Sequence, residues 1–559
     1  MSRPDPESEP DQAKPVAIPA DNQAEARSTA KAFGLVTIAI LCSRVLGLVR
    51  EVVLNSLFGG TANVKWLDCF IMAFKAPNML RDLFAEGALS TAFVTVFSKK
   101  MKAEGDDSAW GLARKMATLT AVFMSVVSLL GVIFAPVIIY LLAHGWHTDD
   151  PEKYHFTILL ARIMYPFILL VSLAALVMGM LNARKVFFMP AMSSTFFNLG
   201  SMVTGGAIGW WLDPEFGRVA IIGFAIGTLI GGLCQLLILL PSLKKVGFHF
   251  FPDFNWRDSG VRNILKIMGP AVISGSVVQV NVLFNTMFAS YVELDGSVTA
   301  LNNAFRLMQL PLGLFGVGLA TVSLPALARL ATDGVSAEFR GTLSKNLRFV
   351  SLLSLPSAVG LIMLAEPIMS IIYGHGAAAT NPMLIPMCAI ALQAYALGLL
   401  FYAALKVLQP AFYAIDRRYI PMFVSLACVL LSVGLNYLFV IRWRLGHEYL
   451  ALSTSITAAL NFCLLFFFMR RSAGGLHDKQ LFIAMMKLLI SAAAMAGVCW
   501  VAKVTVLADW DQFSLWMRGI YLGGTISIAA AVYFTLNLLL GNEEAGAFAS
   551  ILKRRLIRK

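Results

Sequence analysis

Apolar stretches of about 20 residues or more recur from Phe33 to Leu540, and each is long enough to cross a ~30 Å hydrocarbon layer as a helix. One such run could be a helix buried in a soluble core. A dozen could not, because a helix that is hydrophobic all round must be surrounded by other apolar matter. Of the 559 residues 58% are hydrophobic and 14% charged, where an ordinary soluble domain carries roughly 25% charged residues. The chain is therefore read as an all-α polytopic membrane protein.

The runs mark fourteen spans, at about 33–59, 64–98, 111–143, 156–182, 188–212, 218–243, 264–291, 298–330, 347–374, 383–409, 419–441, 447–469, 480–506 and 515–541. Residues 1–32 are polar, rich in Pro, Asp and Glu, and lack an apolar signal core, so they read as a disordered cytoplasmic tail. The formal charge of +13 invites a nucleic-acid reading. A nucleic-acid binder, however, gathers its cations on a solvated domain with aromatics between them, whereas here they sit in short loops between spans. Most of the 45 Lys and Arg fall on one side, in groups such as Lys99, Lys100 and Lys102, Lys244 and Lys245, Arg470 and Arg471, and Lys553 to Arg555. The positive-inside rule then places both termini in the cytoplasm and requires an even number of spans.

All seven cysteines lie inside apolar runs without paired spacing, which reads as packing rather than metal or redox chemistry. The seven histidines sit at or beyond run ends, so none marks an intramembrane proton relay. No GxxxxGK[ST] nucleotide loop and no HExxH motif occurs. No cofactor or metal is expected.

An internal repeat is visible. Ala73-Phe74-Lys75 recurs as Ala304-Phe305-Arg306, Leu83-Phe84 as Leu314-Phe315, Gly87 as Gly318 and Pro190 as Pro421, all about 231 residues apart. Six spans separate equivalent points, so the halves share one orientation and are related by a pseudo-two-fold axis along the membrane normal. The expected organisation is an N-terminal six-helix lobe at 33–246, a second at 259–472, an appended helix pair at 480–541 and a basic cytoplasmic tail at 542–559.

Charges inside the spans carry the functional signal. The cations are Arg44, Arg50, Lys75, Arg81, Arg162, Arg306, Lys406 and Lys487; the acids are Glu51, Asp68, Asp82, Glu86 and Glu366. A charge at the bilayer centre costs ~2.5–3.5 kcal/mol on insertion scales, so each needs a partner, a wet cavity or a route to the interface. Lys406 and Lys487 lie near the cytoplasmic ends and Arg162 near the outer end, where long side chains reach the headgroups. Glu366, followed by Pro367, reads as structural. Arg44, Arg50 and Arg81 lie too deep for that. Arg44 and Glu51 are seven residues apart, nearly one helical face, which makes Glu51 the expected partner of Arg44 and leaves Arg50 freer. Asp68, Lys75 and Asp82 also repeat every seven residues, though Pro77-Asn78 interrupts the register. Such charges could merely tie the first two spans together. The excess of cations favours an electropositive cavity between the halves for an anionic headgroup, with Arg306 supplying the second half's cation at the position matching Lys75. Arginine suits a pyrophosphate because its planar fork bonds bidentately and stays charged.

At these residues the chain resembles the MurJ (MviN) lipid II flippase family of the MATE-like flippase superfamily. The likeness runs through Ser43-Arg44-Val45-Leu46-Gly47-Leu48-Val49-Arg50-Glu51 and Ala73-Phe74-Lys75-Ala76-Pro77-Asn78-Met79-Leu80-Arg81-Asp82-Leu83-Phe84-Ala85-Glu86-Gly87-Ala88, and continues through Gly269-Pro270, Arg306-Leu307-Met308 with Pro311, and Gln409-Pro410-Ala411-Phe412-Tyr413. The resemblance implies two lobes forming a V around a cationic cavity, with spans 13 and 14 building a groove for an undecaprenyl tail. It implies that Arg44, Arg50, Arg81 and Arg306 bind substrate and that Asp68 and Glu86 serve function or gating, beside which the residues themselves offer Glu51 and Lys75 as supporting charges. Asp82, where relatives often carry a second basic residue, and Phe305, where they often carry an acid, depart from the pattern.

The same resemblance implies a bacterial inner-membrane flippase that carries lipid II outward by alternating access without making or breaking a bond. Its partners would be lipid II and the surrounding membrane lipids, with association with the cell-wall synthesis machinery a further expectation. The rival readings are a flippase for another polyprenyl-linked oligosaccharide, a MATE-type drug exporter, and a scaffold or integral-membrane enzyme such as a glycosyltransferase. Drug exporters of cations favour unpaired acids in the cavity, and the short loops leave an interfacial enzyme little room.

Overall fold

A computed structural model describes residues 20–83, 89–331 and 334–557, and among these every regular element is a helix. The first half contains α1 (Ala20–Phe58), α2 (Val64–Leu80), α3 (Ser90–Glu104), α4 (Asp106–Ile133), α5 (Ala135–Leu142), α6 (His144–Asp149), α7 (Pro151–Met164), α8 (Phe167–Ala183), α9 (Phe188–Leu212), α10 (Ala220–Leu237) and α11 (Leu240–Lys245). The second contains α12 (Ser259–Ala289), α13 (Ser297–Pro311), α14 (Gly318–Leu330), α15 (Ala337–Met363), α16 (Ala365–Tyr373), α17 (Leu384–Ala414), α18 (Tyr419–Asn436) and α19 (Glu448–Ala473). The last three are α20 (Asp478–Val504), α21 (Leu515–Leu539) and α22 (Glu543–Ile557). Wide π turns at Leu312–Val317 and Tyr437–Arg442 interrupt or extend α13 and α18.

Ten helices among the described residues are long and apolar enough to cross a membrane, against the fourteen spans expected. The four expected spans outside the ten fall on α1, α2 with α3, α9 and α12. Three of those four contribute polar or charged residues to the central cavity, and polarity aimed inward lowers the mean hydropathy that defines a span. A second difference concerns the tail. α1 starts at Ala20, inside the segment expected to be disordered, and the strong helix formers Gln23, Ala24, Glu25, Ala26 and Arg27 lie in its first turns.

The helix ends follow local chemistry. Asp150 caps α7 by accepting a hydrogen bond from Lys153 N at 3.1 Å, with Pro151 in the first helical position. Asp258 and Ser336 cap α12 and α15 in the same way. α19 stops at Gly474, whose φ of 69° is the left-handed conformation that ends helices.

Without water to drive apolar association, membrane helices pack where small residues let backbones approach. α9 and α10 do this. Gly223, Gly227 and Gly231 recur at one-turn spacing and face Gly209, Gly205 and Ser201; a Cβ on Gly227 would stand 2.5 Å from Gly205 Cα.

At one end of the molecule the two halves meet in a seam. α1 runs to this end, where Asn381 Nδ2 donates to Gly59 O at 3.2 Å and Thr61 Oγ1 to Thr380 O at 3.4 Å. α12 runs to it as well, where Gly145 N donates to Ser290 Oγ at 3.1 Å. Deeper in, Asn55 and Asn303 exchange amide hydrogen bonds, with Asn303 Nδ2 donating to Asn55 Oδ1 at 2.8 Å. The termini of α1 and α12 remote from this seam mark the opposite face.

Candidate functional site

Below the seam lies a cavity of about 550 Å³ between the halves. α1 contributes Arg44, Arg50 and Glu51, α2 contributes Lys75, and Arg81 follows at its C-terminus; Arg306 from α13 and Lys406 from α17 come from the other half. Amide and hydroxyl groups, among them Asn198, Gln235, Asn302 and Gln309, fill the spaces between. The lining thus holds six cations, and Glu51 is its one carboxylate among the described residues.

Glu51 is buried and shared. Its Oε1 lies 2.9 Å from Arg50 Nη2 and 2.8 Å from Arg306 Nη2, a bridge between the halves, and Asn302 Nδ2 donates to Oε2 at 3.4 Å. The expected pairing of Glu51 with Arg44 is therefore corrected. The α1 spacing puts the two on one face, but Arg306 and Asn302 reach in from α13 and draw the carboxylate toward them, and Arg50 folds back to the same oxygen. Arg50 also lies over the Phe197 and Phe74 rings, 5.4 and 6.0 Å from their centroids, contacts that favour a guanidinium.

Arg44 takes a different course. Its guanidinium fits against Gly313 in the π turn of the other half, so closely that a Cβ on Gly313 would overlap Nη1. Among the described residues, Arg44, Lys75 and Lys406 have no carboxylate within ion-pair distance. Arg81 bonds Asp82 at 2.9 Å, which resolves how Asp82 is balanced. Glu86 lies outside the described residues. α2 continues through Pro77 to Leu80, so the Pro77-Asn78 pair does not end it.

Asp68 is not in the cavity. It sits at the seam, fully buried, where its carboxylate accepts from Gly296 N and Thr299 N at 2.8 Å and Thr299 Oγ1 at 2.7 Å. It thereby caps α13 from the opposite half, satisfying orphan N–H groups and the positive helix end together. Lys153 bridges it at 3.6 Å and reaches Asp295 at 2.9 Å, with its ammonium 4.3 Å from the centre of a Trp146 ring.

Two residues take places that their sequence positions do not signal. Lys153 belongs to an expected outer loop, yet it is 4% exposed. Lys406 is expected to reach the headgroups, yet it lines the cavity. Its distance from the span end fits both outcomes, and only the facing of α17 decides between them.

The fold is shared with a multidrug-resistance MATE family transporter in its inward-facing conformation, with a TM-score of 0.64 over 78% of this chain and 96% of that one at 15% identity. Fold and cavity together define a multi-pass α-helical membrane protein of MATE-like architecture. Residues 54–521 match the family model described as lipid II flippase MurJ. The chain is 34% identical over 521 residues to a probable lipid II flippase MurJ of Vibrio cholerae, covering 91% of this chain and 95% of the relative. It is 32% identical over 518 residues to lipid II flippase MurJ of Burkholderia cenocepacia, covering 90% and 96%. A solved structure titled lipid II flippase MurJ, inward closed conformation, superposes with a TM-score of 0.72 at 25% identity, covering 94% and 99%. The chain belongs to the MurJ lipid II flippase family, and so is a multi-pass inner-membrane protein.

Proposed function

We propose that this protein moves lipid II from the cytoplasmic to the periplasmic leaflet, holding the pyrophosphate and its sugar-peptide headgroup in the cavity while the polyprenyl tail stays in lipid. The observation that carries this reading is six cations against one carboxylate within about 550 Å³. So many positive charges gathered in one cavity repel one another unless a ligand supplies the missing anions. A cationic drug would meet the same repulsion, which disfavours the exporter reading.

The lobes, at 33–246 and 259–472, rock about the seam, which we place at the periplasmic side with both termini cytoplasmic, as the distribution of Lys and Arg supports. In this reading the fourteen runs are all spans, and Arg44, Arg50, Arg81, Arg306 and Lys406 contact the phosphates while Asp68 and Lys153 hold the outer seam. A separate cavity of about 350 Å³ runs between α15, α20 and α21, lined by apolar side chains such as Leu353, Pro356, Met495, Ile526 and Phe534, and suits the tail. No bond is broken, so the protein works as a carrier without catalysis. A negative-inside potential favours outward movement of an anion by about 2.3 kcal/mol per charge per 100 mV.

A flippase for another polyprenyl-linked oligosaccharide would present the same pyrophosphate to the same arginines. Depletion of this protein separates the two. Lipid II accumulating in the inner leaflet, reversed by the wild-type chain and not by Arg44→Ala, is the expected result. Normal lipid II distribution with another polyprenyl glycan trapped inside would overturn the lipid II assignment.

A further inference from the structure

The segment joining the halves, residues 246–258, carries an unusual surface. Phe250, Phe251, Phe254 and Trp256 are between 54% and 64% exposed, within seven residues of one another. Such crowding of bare aromatics on a connecting segment is costly in water unless something covers them. The segment is nevertheless firmly placed. Phe248 is buried with its ring 5.5 Å from that of Trp110, Asp253 N donates to Thr118 Oγ1 at 3.0 Å, and Asp258 pairs with Lys115 at 2.7 Å. The exposure of the rings is thus a fixed feature of the fold.

Their surroundings indicate what covers them. Thr118 lies on α4 and is buried under the segment. Val122, Val126 and Leu129 continue along the same helical stripe, and all three are exposed on a helix apolar and long enough to span a membrane. The aromatic surface therefore borders directly on a surface that faces acyl chains. Flanking the segment along the chain stand the exposed cations Lys244, Lys245, Arg257, Arg262 and Lys266, with Arg257 5.2 Å over the Trp256 ring. Apolar rings at the edge of a hydrocarbon-facing stripe, rimmed by exposed positive charge, match the boundary of a bilayer whose headgroups are anionic.

We propose that the inter-lobe segment is an interfacial anchor that seats Phe250, Phe251, Phe254 and Trp256 among the headgroups of anionic lipid. It lies on the face away from the seam, where α12 begins, and it fixes the membrane depth of the first half at the point where the chain passes to the second.

The test places a single cysteine at Phe254 in the full-length chain with its seven native cysteines replaced by Ala or Ser, couples it to an environment-sensitive fluorophore, and reconstitutes it in vesicles of phosphatidylcholine with or without phosphatidylglycerol. The expected result is strong quenching by lipids bearing a nitroxide near the glycerol level and weak quenching by aqueous iodide. Phosphatidylglycerol should raise the lipid quenching about twofold, a gain lost in Lys244→Gln/Lys245→Gln/Arg257→Gln. Iodide quenching equal to that of a label in the N-terminal tail, with no effect of lipid nitroxide, would overturn the proposal and leave the rings as a docking surface for a protein. Lipid quenching that is indifferent to headgroup charge would overturn its anionic part.

Discussion

Gly145 and Gly376 stand 231 residues apart, the spacing of the internal repeat, and each meets a serine carbonyl from the opposite half. A Cβ on Gly145 would overlap Ser290 O at the end of α12, and one on Gly376 would overlap Ser56 O near the end of α1. The seam is thus closed twice over by matching contacts that only glycine permits, and at Gly376 the φ of +59° demands glycine as well.

Alanine at either position should wedge the seam apart at a cost of about 1–3 kcal/mol, the usual range for overpacking a tight contact. Asn381 at the seam is 8% exposed, and labelling of a cysteine placed there by a membrane-impermeant reagent should rise in Gly145→Ala and Gly376→Ala relative to the parent. Unchanged labelling in both would mean that these contacts do not hold the seam closed.

Lys406 provides a test of the cavity that does not depend on the arginines expected from the sequence. Lys406→Gln should weaken retention of a soluble polyprenyl pyrophosphate analogue by about tenfold, as expected when one charge-assisted hydrogen bond worth ~1.5–3 kcal/mol is lost. Arg306→Ala should cost at least as much, because it removes a phosphate ligand and frees Glu51 to neutralise Arg50. Equilibrium binding to the detergent-solubilised protein provides the measurement.

Asp68→Asn keeps the side chain's size but leaves Lys153 with only Asp295. Removing one partner of a buried ion pair costs about 3–5 kcal/mol, so the melting temperature should fall clearly. Pairing the change with Lys153→Met should recover much of the loss. A double variant as unstable as the sum of the two single ones would show that Asp68 acts through the α13 cap alone.

At the opposite face, burial alone would push the Asp258 carboxyl up, but the Lys115 ammonium and the Gly260 N–H outweigh it and hold the group below its ordinary range. A carboxyl depressed by folding adds stability above its unfolded pKa and loses that contribution as pH falls through the lower folded value. Detergent-solubilised protein should therefore lose stability on acidification below the normal aspartate range. Asp258→Asn should flatten that limb while costing up to about 1 kcal/mol at neutral pH through the partly exposed pair. Thermal melts across an acid series would show both effects.

Much of this arrangement can be read in the sequence because periodicity and duplication survive without coordinates. The match of Lys75 to Arg306 places two cations in one cavity, and both line it. What one helix cannot reveal is which neighbour reaches it. Glu51 turns to Arg306 because α13 crosses α1 there, Asp68 turns outward because the N-terminus of α13 stops beside it, and Lys406 turns inward because of how α17 packs. Each of these is a fact about a crossing, with no trace in either segment read alone.

The glycine-lined contact of α9 with α10 has a bearing on motion. With no side-chain thickness between them, the two have no clearance in which to slip, so they travel as a single strut. Any bending the first half undergoes must be taken up elsewhere, while in the second half the wide turn from Leu312 to Val317 that receives Arg44 is a place where the backbone has already left regular α-helical hydrogen bonding.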